Sequence, residues 1–145
     1  MNKIIQTDMP RIFISHAWED SQLVRRLENE LQAAGAEVWV DHSGIRGGDN
    51  LPKRINAALE WCDVFLLVWS KTASKSPWVN LEWTSAVALK KPIIPCLLDD
   101  SQLPFILVGM HYLDFRNLDR GIVQLLRALK LTKQSMVPAA AKPIE

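Results

Sequence analysis

Cysteine is scarce in this chain. Cys62 and Cys96 are the only two, they match no metal-binding or redox spacing, and they read as reduced core fillers of a cytosolic protein. Long apolar runs are missing as well. Nothing approaches the ~18 residues that a membrane span requires, and Met1–Pro10 lacks the apolar segment of a signal peptide. The expectation is a soluble, cytoplasmic protein without membrane contact. Excess charge is also lacking: the formal net charge is +1. Lys53-Arg54 and Lys90-Lys91 are isolated pairs rather than a basic stripe, so nucleic acid is not an expected partner.

Several catalytic signatures are absent too. His16, His42 and His111 fit no zinc spacing, and no metal site is expected. There is no Gly-x-Ser-x-Gly elbow. The stretch Asp-His-Ser-Gly-Ile-Arg-Gly-Gly-Asp at 41–49 lacks the Gly-Lys-Ser/Thr ending of a phosphate loop and is not a dinucleotide fingerprint. Its glycines permit positive φ and close backbone approach. A loop this long in a compact domain reads as a lid or an interaction surface.

What the chain has in quantity is tryptophan: Trp18, Trp39, Trp61, Trp69, Trp78 and Trp83. Packing accounts for such residues in general, and those beside strand ends suit a pocket for a flat ligand. The apolar pattern alternates between two kinds of segment. Arg11–Ser15, Ala36–Val40, Val64–Trp69, Pro92–Leu98 and His111–Phe115 are short, apolar and β-rich, as strands buried on both faces read. Between them lie helical patterns. One starts at Asp20 or Ser21 as cap, carries Leu23, Val24, Leu27, Leu31 and Ala34 on one face, and stops at Gly35. Another has Pro52 in its first turn with Ile55, Ala58, Leu59 and Cys62 inward. After a polar connection at 71–75, Ser76-Pro77 reads as an N-cap and first helical position of a third helix to about Lys90. The last runs from Leu118 to Leu131 with Ile122, Leu125, Leu126 and Leu129 inward.

Strands alternating with helices mean βαβ units and a parallel sheet. The simplest arrangement is an α/β fold, a flavodoxin-like doubly wound five-stranded parallel sheet in the order 2-1-3-4-5 with helices on both faces. The chain divides into an N-terminal extension (1–10), one domain (11–131) and a linker or disordered tail (132–145). The switch point of such a sheet lies between strands one and three, where the loops carry His16-Ala17-Trp18 and Ser70. An aspartate at the end of the third strand would mark a phospho-acceptor receiver; Trp69-Ser70 stands there instead. Glu82 draws notice at this edge. A mid-helix glutamate is ordinarily solvated, but this helix starts at the binding edge, Trp78 lies four residues earlier on the same face, and Ser70 ends the adjoining strand. As an exposed helix-surface residue, Glu82 is expected to tolerate alanine without loss of folding.

Four stretches in order resemble a TIR (Toll/interleukin-1 receptor) domain of the bacterial type. They are Ile12-Phe13-Ile14-Ser15-His16, Val38-Trp39-Val40-Asp41 through Gly48-Asp49, Leu66-Leu67-Val68-Trp69-Ser70, and Trp78-Val79-Asn80-Leu81-Glu82. The last matches the Trp-x-x-x-Glu of NAD-cleaving TIR domains. Arg46-Gly47-Gly48 lacks the proline of the animal receptors' BB loop, and Phe115 precedes Arg116 where those receptors have Phe-Trp.

The resemblance implies a NAD⁺ glycohydrolase with Glu82 as its catalytic glutamate. NAD⁺ is then the substrate, and no cofactor is implied. Trp78, Trp39 or a loop residue is implied to stack on a ring, and the His16-Ala17-Trp18 turn and Ser70 to meet phosphates or ribose. Asp41, Arg46 and Gly48 of the BB loop complete the substrate-binding set. The products are nicotinamide and ADP-ribose or a cyclic isomer, in bacterial immune or effector signalling. The implied partners are NAD⁺, other TIR domains in a homo-oligomer through the BB loop, and a fused C-terminal sensor domain. The alternative from a different class is a non-catalytic TIR–TIR assembly module; a domain that binds a nucleotide signal without cleaving it is a third.

Overall fold

The computed structural model describes residues 9–41 and 51–131; the expected N-terminal extension and tail, and Arg46 and Gly48, fall mostly or wholly outside them. Five parallel strands form one sheet in the order β2-β1-β3-β4-β5. They are β1 (Arg11–Ser15), β2 (Glu37–Trp39), β3 (Val64–Trp69), β4 (Ile93–Leu97) and β5 (Leu113–Asp114). The helices are α1 (Ser21–Ala33), α2 (Leu51–Trp61), the single turn α3 (Lys71–Ser74), α4 (Pro77–Ala88) and α5 (Leu118–Ala128). No helix among the described residues is long and apolar enough to cross a membrane.

The alternation of side chains along a strand divides the core in two. Phe13, Phe65, Leu67 and Trp69 point to the face covered by α2, α3 and α4, where Ile55, Leu59, Ala73 and Val79 meet them. Ile12, Ile14, Leu66, Val68 and Cys96 point to the opposite face, against Val24, Leu27 and Leu31 of α1 and Ile122, Leu125 and Leu126 of α5. On the first face Phe13 stacks between Trp39 and Phe65, with ring centroids 4.7 and 5.0 Å away. Each large side chain fully removed from water contributes about 1.5–3 kcal/mol, which makes β1 and β3 the centre of the fold.

Several local expectations are corrected. Strand β2 is shorter than Ala36–Val40 and is not buried on both faces: Glu37 is exposed and Val38 and Trp39 are half-buried. The reason is its position at the sheet edge, where β1 is its one strand neighbour among the described residues. The polar connection after β3 is the helical turn α3, because the Ser70 hydroxyl accepts from the Ala73 N–H at 3.0 Å and caps it. Neither Asp20 nor Ser21 caps α1 with its side chain. A 3₁₀ turn at Trp18–Asp20 leads directly into that helix, and the Ser21 hydroxyl donates back to the Trp18 carbonyl at 2.6 Å.

Helix ends follow one scheme. The N–H groups of Gly35 and Ala36, Lys90 and Lys91, and Lys130 and Leu131 fold back on carbonyls of α1, α4 and α5, the pattern of a left-handed C-terminal cap. Gly35 takes its φ of 104° without penalty, whereas Lys90 and Lys130 hold φ of 59° and 61° with a Cβ present. Lys90→Gly is therefore expected to raise stability by about 0.5–1 kcal/mol, read as a higher denaturant midpoint with an unchanged slope.

Candidate active site

Helix α4 begins as its sequence dictates. The Ser76 hydroxyl accepts from the Val79 N–H at 3.2 Å, and Pro77 occupies the first turn. Its inward stripe is Val79, Glu82 and Ala86, the 3–4 spacing of a core-facing helix. Glu82 thus occupies a place an aliphatic side chain would ordinarily fill. It is 2% exposed, which overturns the expectation of a helix-surface residue. Burying a carboxylate is costly unless it is bonded, and the Ser15 hydroxyl donates to Glu82 Oε1 at 2.7 Å in the interior.

Ser15 reaches Glu82 for a reason of register. It is the last residue of β1, shares a face with Phe13, and stands opposite Leu67 of β3. That face is the one α4 covers. Sequence reasoning missed Ser15. The signal was present, a polar residue closing an apolar strand on the face of Phe13, but nothing in the order of residues said which helix would cover it.

The other expected residues gather at the same end of the sheet in differing degrees. His16 is buried beside Ser15, its Nε2 at 3.3 Å from the Ser21 hydroxyl. Ala17 is buried. Trp18 is 51% exposed and stands out in solvent. Ser70, buried at the end of β3, donates its hydroxyl proton to Asp20 Oδ2 at 2.8 Å while accepting from the turn it caps. Trp39 and Trp78 are partly buried against the same cluster as Phe13. Asp41 is half-buried at the last described position before the loop. Arg46 and Gly48 lie outside the described residues. Two hydroxyl–carboxylate pairs, Ser15–Glu82 and Ser70–Asp20, therefore stand at the C-terminal ends of the two central strands, where open α/β sheets bind ligands. A separate cavity of about 220 Å³ lies over the ends of β4 and β5, beside Asp99, Asp114 and Arg116. None of the expected site residues lines it.

Burial pushes the Asp20 carboxyl above its ordinary value of 3.8, with the Ser70 bond working against the rise. The native state then holds that proton to higher pH than the unfolded chain. Stability contributed at this position falls as pH climbs from about 3.8 through the folded-state value, and the cost is complete above it. Asp20→Asn keeps an acceptor for Ser70 and removes the charge. The variant is expected to match the parent near pH 3 and to melt higher at neutral pH, in thermal scans across that range.

The chain has relatives. A family model described as TIR domain matches residues 12–126. The chain is 30% identical over 135 residues to the protein named "Probable 2′ cyclic ADP-D-ribose synthase TcpO" of Methanobrevibacter olleyae, covering 91% of this chain and 37% of that protein. It is 43% identical over 72 residues to "NAD(+) hydrolase PdTIR" of Paracoccus denitrificans, covering 49% of this chain and 24% of that protein. It thus spans well under half the length of these curated relatives. Among solved structures, the TIR domain of the Toll-related receptor TRR-2 from Hydra magnipapillata superposes with a TM-score of 0.69 at 24% identity. That match covers 82% of this chain and 97% of the other, a likeness of fold. The family match runs through both central strands, the buried Glu82 and its Ser15 partner, and the chain belongs to the TIR domain family.

Proposed function

We propose that this domain cleaves the nicotinamide–ribosyl bond of NAD⁺, with Glu82 as the carboxylate that stabilises the reacting ribose. The observation that carries the reading is a glutamate buried and aimed by a hydroxyl at the switch point of the sheet. The names of the relatives, a NAD(+) hydrolase and a probable 2′ cyclic ADP-D-ribose synthase, support it. Both reactions begin with the same step. The C1′–N bond breaks and nicotinamide departs as a neutral pyridine with the bonding electron pair, so no acid has to protonate it. The ribosyl centre left behind carries oxocarbenium character, and a preorganised carboxylate stabilises that charge far better in a water-poor site than in solution. Capture by water, with loss of a proton, gives ADP-ribose; capture by a hydroxyl of the same ADP-ribosyl group gives a cyclic isomer.

The remaining side chains take supporting parts in this proposal. Trp78 and Trp39 offer ring faces, and His16, Ala17, Trp18 and Ser70 border the approach to β1 and β3. Asp41 and, outside the described residues, Arg46 and Gly48 complete the proposed substrate-binding set. NAD⁺ enters as substrate rather than as a resident cofactor. Because Glu82 is 2% exposed, the side chains that cover it must move aside when substrate binds. The proposal includes assembly with further copies through residues 42–50, which lie outside the described residues, and fusion to a C-terminal sensor domain, the latter in keeping with the greater length of the relatives. The test is nicotinamide release from NAD⁺ by concentrated protein, with the Glu82 variant argued in the Discussion alongside.

A further inference from the structure

We infer that Ser15 is a positioning residue for this reaction: its hydroxyl, donated to Glu82 Oε1 at 2.7 Å, fixes the carboxylate in the attitude that catalysis requires. The inference rests on the proposed NAD⁺ cleavage and adds a residue to it. Glutamate has several rotatable side-chain bonds, and a charge that must stabilise a developing cation is effective only if its orientation is set beforehand. Here both ends of the contact sit on rigid supports. Ser15 closes a central strand bonded to β3, and Glu82 lies in the middle of α4, between the buried anchors Val79 and Ala86. Ser15 is 1% exposed, so no water competes freely for its proton. The hydroxyl thus stands on the apolar face of Phe13 with its proton committed to the carboxylate.

A purely structural hydroxyl would satisfy a buried carboxylate and leave turnover alone. The two roles separate in steady-state kinetics of nicotinamide release by Ser15→Ala, Ser15→Thr and Ser15→Cys, each checked for a cooperative thermal transition. Positioning predicts that Ser15→Ala lowers kcat by roughly 10- to 100-fold, the range of one hydrogen bond to a charged group, with KM within about twofold. Ser15→Thr retains the donor and is expected to recover most of the loss. Ser15→Cys, close in volume but a weak donor, is expected to fall between, and carries the test if the alanine variant does not fold. Unchanged kcat in folded Ser15→Ala or Ser15→Cys overturns the inference. So does a rise in KM at constant kcat, which would make Ser15 a substrate contact. A parent protein that releases no nicotinamide overturns the proposed function itself, and this inference with it; an active parent with an indifferent Ser15 overturns the inference alone.

Discussion

Glu82→Gln is expected to lower nicotinamide release by roughly 10²- to 10³-fold while leaving the domain about as stable as the parent. Glutamine has the shape of glutamate and its side-chain carbonyl still accepts the Ser15 proton, so packing and the buried hydrogen bond survive. The negative charge is lost, and that charge is what a ribosyl cation needs. A buried carboxylate is also a thermodynamic burden, because the charged form pays desolvation that a neutral amide does not; relief of that burden offsets any loss in bond strength. Falling activity with steady or rising melting temperature is the mark of a residue kept for function against stability. Alanine is a poorer probe. It leaves a void beneath α4 and strands the Ser15 hydroxyl, a combined cost of about 2–4 kcal/mol, so loss of activity in Glu82→Ala could come from loss of fold. Product analysis and a melt on the same Glu82→Gln sample read both quantities. Full activity in that variant would remove the carboxylate from the mechanism and favour the assembly-module reading.

The second large effect is on the fold and reverses sign with its background. Gly121 lies buried in α5, and a Cβ built there meets Phe115 Cγ, Cδ1 and Cδ2 at 2.7, 2.8 and 2.9 Å. Phe115 is itself buried, just past β5, with its N–H bonded to the Leu97 carbonyl at 2.8 Å. The ring can retreat only by disturbing the α5 face of the core. Helix propensity alone would make Gly121→Ala stabilising by about 1 kcal/mol, but overpacking a filled core costs about 1–3 kcal/mol, and a net loss is expected. Phe115→Ala removes the ring at a cost of about 3–5 kcal/mol. In that background Gly121→Ala meets open space and should stabilise. A double-mutant cycle by chemical denaturation measures the coupling; additivity of the two changes would mean that ring and glycine do not touch.

Part of the site was legible before any fold was known. The alternation of short apolar runs with 3–4-spaced segments predicts five strands and their order, and the order places His16 and Ser70 at the switch point, where they stand. The Trp78–Glu82 spacing marks the helix that carries the carboxylate. The misreading concerned which way Glu82 faces. Helix α4 is apolar nearly all round, with Trp78, Val79, Leu81, Trp83, Ala86 and Val87 within three turns. Hydrophobic periodicity therefore cannot say which side is inside, and a glutamate in such a helix defaults to the surface. Ser15 and Asp20 were passed over for a related reason, since a hydroxyl at a strand end and a carboxylate in a turn have meaning only through partners 67 and 50 residues away.

The sequence by itself determined the fold class and the family resemblance, because periodicity, caps and motif order are local properties that each segment states independently, and the simplest doubly wound arrangement of those segments has the observed strand order. Tertiary structure alone decided that β2 lies half-open at the sheet edge, that Ser70 caps a turn while holding Asp20, and that Glu82 is buried on Ser15. Burial and partnership depend on what packs over a residue, and the packing of α4 on β1 brings together side chains that no local pattern relates.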